Sequence, residues 1–177
     1  MMHNAEQIGA AASPGFLPAL RTFSLLAATL TAGLMAGLFA AFAYAVMPAL
    51  ARSNDAVYVE VMRNINVVIV NPLFMTLFMG GVGVGLAAVI TTWRAPDPAA
   101  RWWALAGFAA YLVMFMITVA ANVPLNDQLA ADPGQDPAAA RAAFENSWVA
   151  WNIARAVVAT GSLVAFGAAL LYARPSK

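Results

Sequence analysis

Four stretches of this sequence run for 18 to 30 residues without a charged side chain: 22–51, 64–93, 102–126 and 156–173. A helix rises about 1.5 Å per residue, so about 20 apolar residues cross a hydrocarbon core about 30 Å thick. Lipid offers an open backbone no hydrogen-bond partner, so such segments must be helical. The last run is the shortest and is expected to recruit Trp151 to Arg155 as its first turn. Four helices use most of the 177 residues and leave no room for a separate soluble domain. The expected fold is all-α: an integral membrane four-helix bundle, up-down-up-down. Residues 1–20 are expected as a flexible tail, 21–173 as the transmembrane domain and 174–177 as a C-terminal tail. Composition agrees, with 63% hydrophobic and 10% charged residues, against roughly 25% charged in soluble domains. Mean hydropathy is +0.75.

The sequence has no cysteine, which removes disulfides, thiolate nucleophiles and Cys-type metal or cluster sites. Its one histidine, His3, precedes the first span, so the membrane region lacks the usual haem and His-cluster designs. A net charge of +1 gives no case for nucleic acid. No Lys or Arg precedes the first apolar run, so the first span reads as a retained anchor rather than a cleaved leader. The expected setting is the cell membrane, with both termini cytoplasmic. The Lys and Arg split of five to four across the two sides supports that orientation weakly.

Punctuation along the chain sets the expected boundaries. Helix one is expected from about Arg21 to Met47, ended by Pro48, with Gly33 and Gly37 as a small-xxx-small contact. Phe39, Phe42 and Tyr44 read as aromatics of the interface. Ser53-Asn54-Asp55 reads as an N-cap. Span two is expected to open at Arg63-Asn64, with Asn64 and Asn71 on one face and a kink or break at Asn71-Pro72. Gly80, Gly81, Gly83 and Gly85 superficially resemble a dinucleotide fingerprint, but without a strand–turn–helix context they read as a packing surface. Trp102 and Trp103 read as an anchor opening span three, Asp132-Pro-Gly and Asp136-Pro as turns, and Pro137 as a helix start.

On this topology the unusual polar residues converge at one end. Asp55, Glu60, Arg63, Asn64 and Asn66 open span two; Asn122, Asn126 and Asp127 close span three; Glu145, Asn152 and Arg155 open span four. At 100° per residue, Glu145, Trp148, Asn152 and Arg155 fall within about 80° on one face. Arg155 near a membrane boundary calls for a partner, with Asp127, Glu60 or Glu145 as candidates. Each feature has a structural reading beside the functional one. Tryptophans anchor at interfaces, asparagines bridge helices, and an Arg–acid pair clamps. Together they define a polar pocket at one end of the bundle.

The pair Asn122-Val-Pro-Leu-Asn-Asp127 and Trp148-x-x-Trp151-Asn152-x-x-Arg155 resembles the anthrone oxygenase-like family of small four-helix membrane proteins. Gly37 to Pro48, Val59 to Asn66 and Asn71-Pro72 extend the resemblance. It implies oxidation of anthrone-like aromatics by O2 with no metal, flavin or other cofactor. In that chemistry a base removes an acidic proton and donors hold the enolate oxygen. The resemblance then implies Asp127 as base, with Glu60 second. Asn64, Asn71, Asn122, Asn126, Asn152 and Arg155 would line the substrate, and Trp148 and Trp151 would stack on a flat lipophilic aromatic. The partners expected are the lipid bilayer and that small molecule, with a homo-oligomer left open. The alternative is a non-enzymatic membrane module that binds a lipophilic molecule or a partner protein. A transporter fits less well, since no inverted repeat is evident.

Overall fold

The computed structural model describes residues 15–131, 134 and 136–173, and among them every regular element is helical. Helix α1 (Phe16–Ala41) passes through a π-helical turn (Phe42–Val46) into α2 (Met47–Leu50). Then come α3 (Asp55–Ile69) and α4 (Pro72–Thr92). Helix α5 (Pro98–Ile117) passes through a second π-helical turn (Thr118–Asn122) into α6 (Val123–Ala131), and α7 (Pro137–Tyr172) ends the described chain. Four continuous helical segments, 16–50, 72–92, 98–131 and 137–172, are long and apolar enough to cross a membrane. The protein is a multi-pass membrane protein. Lipid faces the large apolar side chains exposed along all four segments, such as Leu30, Ile90, Met116 and Val164.

The helices form a closed ring: α1 packs on α4 and α7, and α5 packs on the same two. Small side chains set the spacing. Alanines 28, 32, 88, 104, 159 and 169 are fully or almost fully buried beside Leu25, Met35, Met114 and Phe166. A Cβ on Gly81 would collide with the Tyr111 hydroxyl, and one on Gly107 would lie 2.9 Å from the Phe166 ring. The glycine stretch of α4 therefore divides. Gly81 and Gly85 face neighbours, while Gly80 and Gly83 have open space beside them. In α1, Gly33 lies in ordinary contact distance of Leu163 and Gly37 faces nothing, so the expected GxxxG contact is only half used.

Three boundaries differ from expectation. Helix α1 starts at Phe16, so the last five residues of the expected tail are helical; positions 1–14, 132–133, 135 and 174–177 lie outside the described residues. Pro48 does not stop the first span. A proline clashes with the carbonyl four residues back and lacks an N–H, and the wider π turn ending two residues earlier accommodates both defects. Pro124 stands in the same relation to the second π turn. Asn64 and Asn71 do not share a helix face, because α3 stops at Ile69 and Val70 leaves the helical region (φ −79°, ψ 65°). Asn71 instead caps α4, its Oδ1 accepting from Phe74 N at 3.0 Å, with Pro72 at the first turn. Asn54 caps α3 and α7 starts at Pro137, as the sequence leads one to expect, and Asp136, expected as a turn residue, caps α7.

Candidate functional site

The two π turns and the α3–α4 break lie toward the same end of the bundle, remote from Phe16 and Tyr172, and together they enclose a cavity of about 100 Å³. Helix α7 supplies Trp148, Asn152 and Arg155; the second π turn supplies Thr118 and Asn122, and α6 supplies Val123 and Asn126. Leu38, Phe39 and Phe42 close the α1 side, while Ile65, Asn66, Ile69, Val70 and Phe74 close the side of the break. A cavity of roughly 150 Å³ holds benzene, so this space accepts the edge of one aromatic ring.

Arg155 is the centre of the site. It is 6% exposed, and its Nη2 donates to Asn152 Oδ1 at 3.1 Å. Its guanidinium lies 4.3 Å from the Phe39 ring centre and 5.5 Å from that of Trp148, within cation–π range. Asn152 is fully buried and oriented by α1: its Nδ2 donates to the Phe39 carbonyl at 3.0 Å. That carbonyl sits where the α-helical ladder gives way to the π turn, so the irregular backbone supplies the acceptor that fixes Asn152. On the opposite wall Asn122 Nδ2 donates to the Trp148 carbonyl at 3.3 Å, and the Trp148 indole N–H donates to Asn126 Oδ1 at 2.8 Å. Arg155 Nε, Asn122 Oδ1 and Asn66 Nδ2 are buried without a hydrogen-bond partner, and all three residues line the cavity. Orphaned buried polar atoms are costly, and three around one small space point to a polar guest.

The expected carboxylate partner of Arg155 is not there. Among the described residues the ion pairs are Arg141–Asp55 at 3.0 Å and Arg141–Glu145 at 2.6 Å. Glu145 sits one helical turn from Arg141 and is drawn to it, away from Arg155. Arg141 also donates to the Ser53 and Ala51 carbonyls and lies over the Tyr58 ring at 4.6 Å, tying the α2–α3 loop to α7. Between Arg141 and the cavity a buried layer of Met47, Tyr58, Met62, Leu129, Phe144 and Trp148 caps the bundle. Burial, and then the nearby Glu145 charge, push the Tyr58 hydroxyl well above the usual tyrosine range.

Of the residues expected at the site, the cavity gathers Asn122, Asn126, Trp148, Asn152 and Arg155. Asp127 and Glu60 are exposed and do not line it. Asp127 follows Asn126 on α6, and the 100° step between neighbours that aims Asn126 at Trp148 turns Asp127 outward. Asn64 and Asn71 border a separate shallow groove with Val61, Ile65, Val68 and Ile69, and Trp151 points outward, 45% exposed. Phe39, Phe42 and Thr118 were not expected. The two phenylalanines read as interfacial aromatics, and only Tyr44 beside them is exposed in that manner. No group of three or more His, Cys, Asp or Glu side chains assembles into a metal site among the described residues.

Residues 73–165, just over half of the chain, match the family described as anthrone oxygenase. The chain belongs to the anthrone oxygenase family. The matched segment runs from α4 into α7 and carries the cavity residues Phe74, Thr118, Asn122, Val123, Asn126, Trp148, Asn152 and Arg155. Glu60, Asn64, Asn66 and the α3–α4 break precede the part that matches the anthrone oxygenase family. Neither a search of the curated proteins nor one of the solved structures finds a match.

Proposed function

We propose that the protein oxidises an anthrone-like aromatic ketone with O2, using Arg155 to hold the substrate as its enolate. The observation that carries this reading is a buried guanidinium facing a cavity, stacked on aromatic rings, with no carboxylate to neutralise it among the described residues. A unit charge about 4 Å from the enolate oxygen contributes about 4 kcal/mol at an effective dielectric of about 20. That is about three pKa units of the bound ketone, which raises the enolate fraction by about three orders of magnitude. The CH2 opposite the ketone loses one proton, the enolate gives electrons to O2 and bonds it, and the resulting peroxide anion takes one proton back to become the hydroperoxide. The hydroperoxide then expels water across the remaining C–H, so ketone plus O2 becomes quinone plus H2O. Asn122 and Asn66 supply polar contacts to the ring substituents, and Trp148 supplies the face on which a ring stacks. Asp127 and Glu60 stand outside the cavity, so the proton passes to solvent at the Asn126 edge and the chemistry rests on Arg155 rather than on a carboxylate base.

The test is quinone formation and O2 uptake with purified protein and anthrone, measured against the spontaneous background and against Arg155→Met. No gain over background sinks the reading. One observation favours a second reading: no acidic side chain lines the cavity. A lipophilic anion would then be held at Arg155 without turnover: the same assay would find no quinone formation, while a binding titration would find a phenolate held by wild type and not by Arg155→Met.

A further inference from the structure

Four sides of the cavity differ in what closes them. Helices α1 and α7 close two with buried groups, and the second π turn closes a third with buried Thr118 and Asn122. Above, the Met47–Tyr58–Phe144 layer and the Arg141 clamp separate the cavity from the loops. On the remaining side α3 ends at Ile69 and α4 begins only at Pro72, and across from this break α6 starts at Val123. The exposed residues of the cavity lining are Val70 and Val123, 65% and 41% exposed. Their exposed neighbours Val67, Val68, Leu73 and Val119 are also apolar, an apolar rim of the kind that marks a lipid or ligand interface. The exposed acids stand apart from it, Asp127 one turn beyond Val123 and Glu60 ten residues before Val70.

We propose that the cavity opens sideways into the bilayer between Val70 and Val123, and that its guest enters from lipid rather than from water. This rests on the reading that the cavity takes a flat aromatic guest. The helix break makes the opening: an unbroken α3–α4 helix would carry side chains across the gap, whereas the inverse γ-turn at Val70, closed by the Asn71 N–H on the Ile69 carbonyl at 2.8 Å, interrupts the helix there, and Asn71 satisfies the freed backbone end by capping α4. Because the space admits one ring edge, the rest of a larger guest lies in the opening between the two valines, which makes them size-selecting residues.

The native chain has no cysteine, so single spin labels can be placed at Val70→Cys, Val123→Cys and Asp127→Cys in phosphatidylcholine vesicles. Labels at 70 and 123 are expected to relax faster with O2 than with a water-soluble nickel chelate, and the label at 127 the reverse. Nickel dominance at both valines overturns the lateral opening. The second arm is a phosphatidylcholine carrying an anthrone on its acyl chain, which cannot leave the bilayer. Wild type should oxidise it, Val123→Trp should do so at least tenfold more slowly, and Ile90→Trp, on a remote lipid face, at the wild-type rate. Oxidation of free anthrone but not of the tethered lipid overturns the route. If neither is oxidised, the oxygenase reading fails while the labels still decide the opening.

Discussion

Arg155 and Asn152, one turn apart on α7, are joined by a 3.1 Å hydrogen bond, and Asn152 is in turn held by the Phe39 carbonyl of α1 at 3.0 Å. The cation is positioned by a neutral amide, not by an acid. An amide fixes the guanidinium without cancelling its charge, which leaves that charge available to an anionic guest.

Removing the cation should separate function from stability. Arg155→Met is expected to lower kcat/KM for anthrone by about 100-fold or more, as loss of one oxyanion donor does. Its thermal midpoint should stay level or rise, because an unpaired buried charge costs folding free energy. A variant that loses activity only by unfolding would contradict this.

Neutralising the cation in place is a finer probe. Asn152→Asp puts a carboxylate beside Arg155, so binding of an enolate or phenolate should weaken at least tenfold. Asn152→Leu leaves the Phe39 carbonyl and Arg155 short of partners and should cost about 1–3 kcal/mol, read as a lower unfolding midpoint in detergent.

The exposed acids test where the chemistry sits. Asp127→Asn and Glu60→Gln, singly or together, should retain turnover within about threefold. A loss of two orders of magnitude, the size of a general-base contribution, would move the reaction out of the cavity.

Packing of α4 predicts a contrast between neighbouring glycines. Gly81→Ala drives a methyl into Tyr111, whose hydroxyl donates to the Leu77 carbonyl at 3.0 Å, and should cost about 1–3 kcal/mol. Gly83→Ala has open space and should be neutral or stabilising. Thermal unfolding of the two variants decides it.

Tyr58 sets an alkaline limit. Its hydroxyl is buried without a hydrogen-bond partner and is harder to ionise in the folded protein than in the unfolded chain. A raised folded value means that its contribution is fully present below the unfolded pKa of about 10 and is lost as pH rises above it. Tyr58→Phe should therefore flatten the decline in stability above pH 10 and raise stability at neutral pH by about 1 kcal/mol. pH-dependent unfolding of wild type and variant checks both.

Spans, caps and the polar end of the bundle are properties of composition and local spacing, so the sequence alone determines them. Charge-free runs mark the cores of the four spans between Phe16 and Tyr172, and Asn54 caps the helix it precedes. The stripe Trp148, Asn152, Arg155 follows from helical periodicity, and the motifs at 122–127 and 148–155 carry the resemblance to the family that residues 73–165 match. What the tertiary structure decided is which polar groups meet. Asp127 and Glu60 look equivalent to Asn126 and Asn66 in sequence, yet each pair is split by helix rotation into one residue that faces the cavity and one that faces out. The π turns before Pro48 and Pro124 could not be read locally, since a proline that ends a helix and one absorbed by a wider turn share the same sequence. Glu145 shares the stripe of Arg155 but was claimed by Arg141, a competition between two partners that only their positions in space resolve.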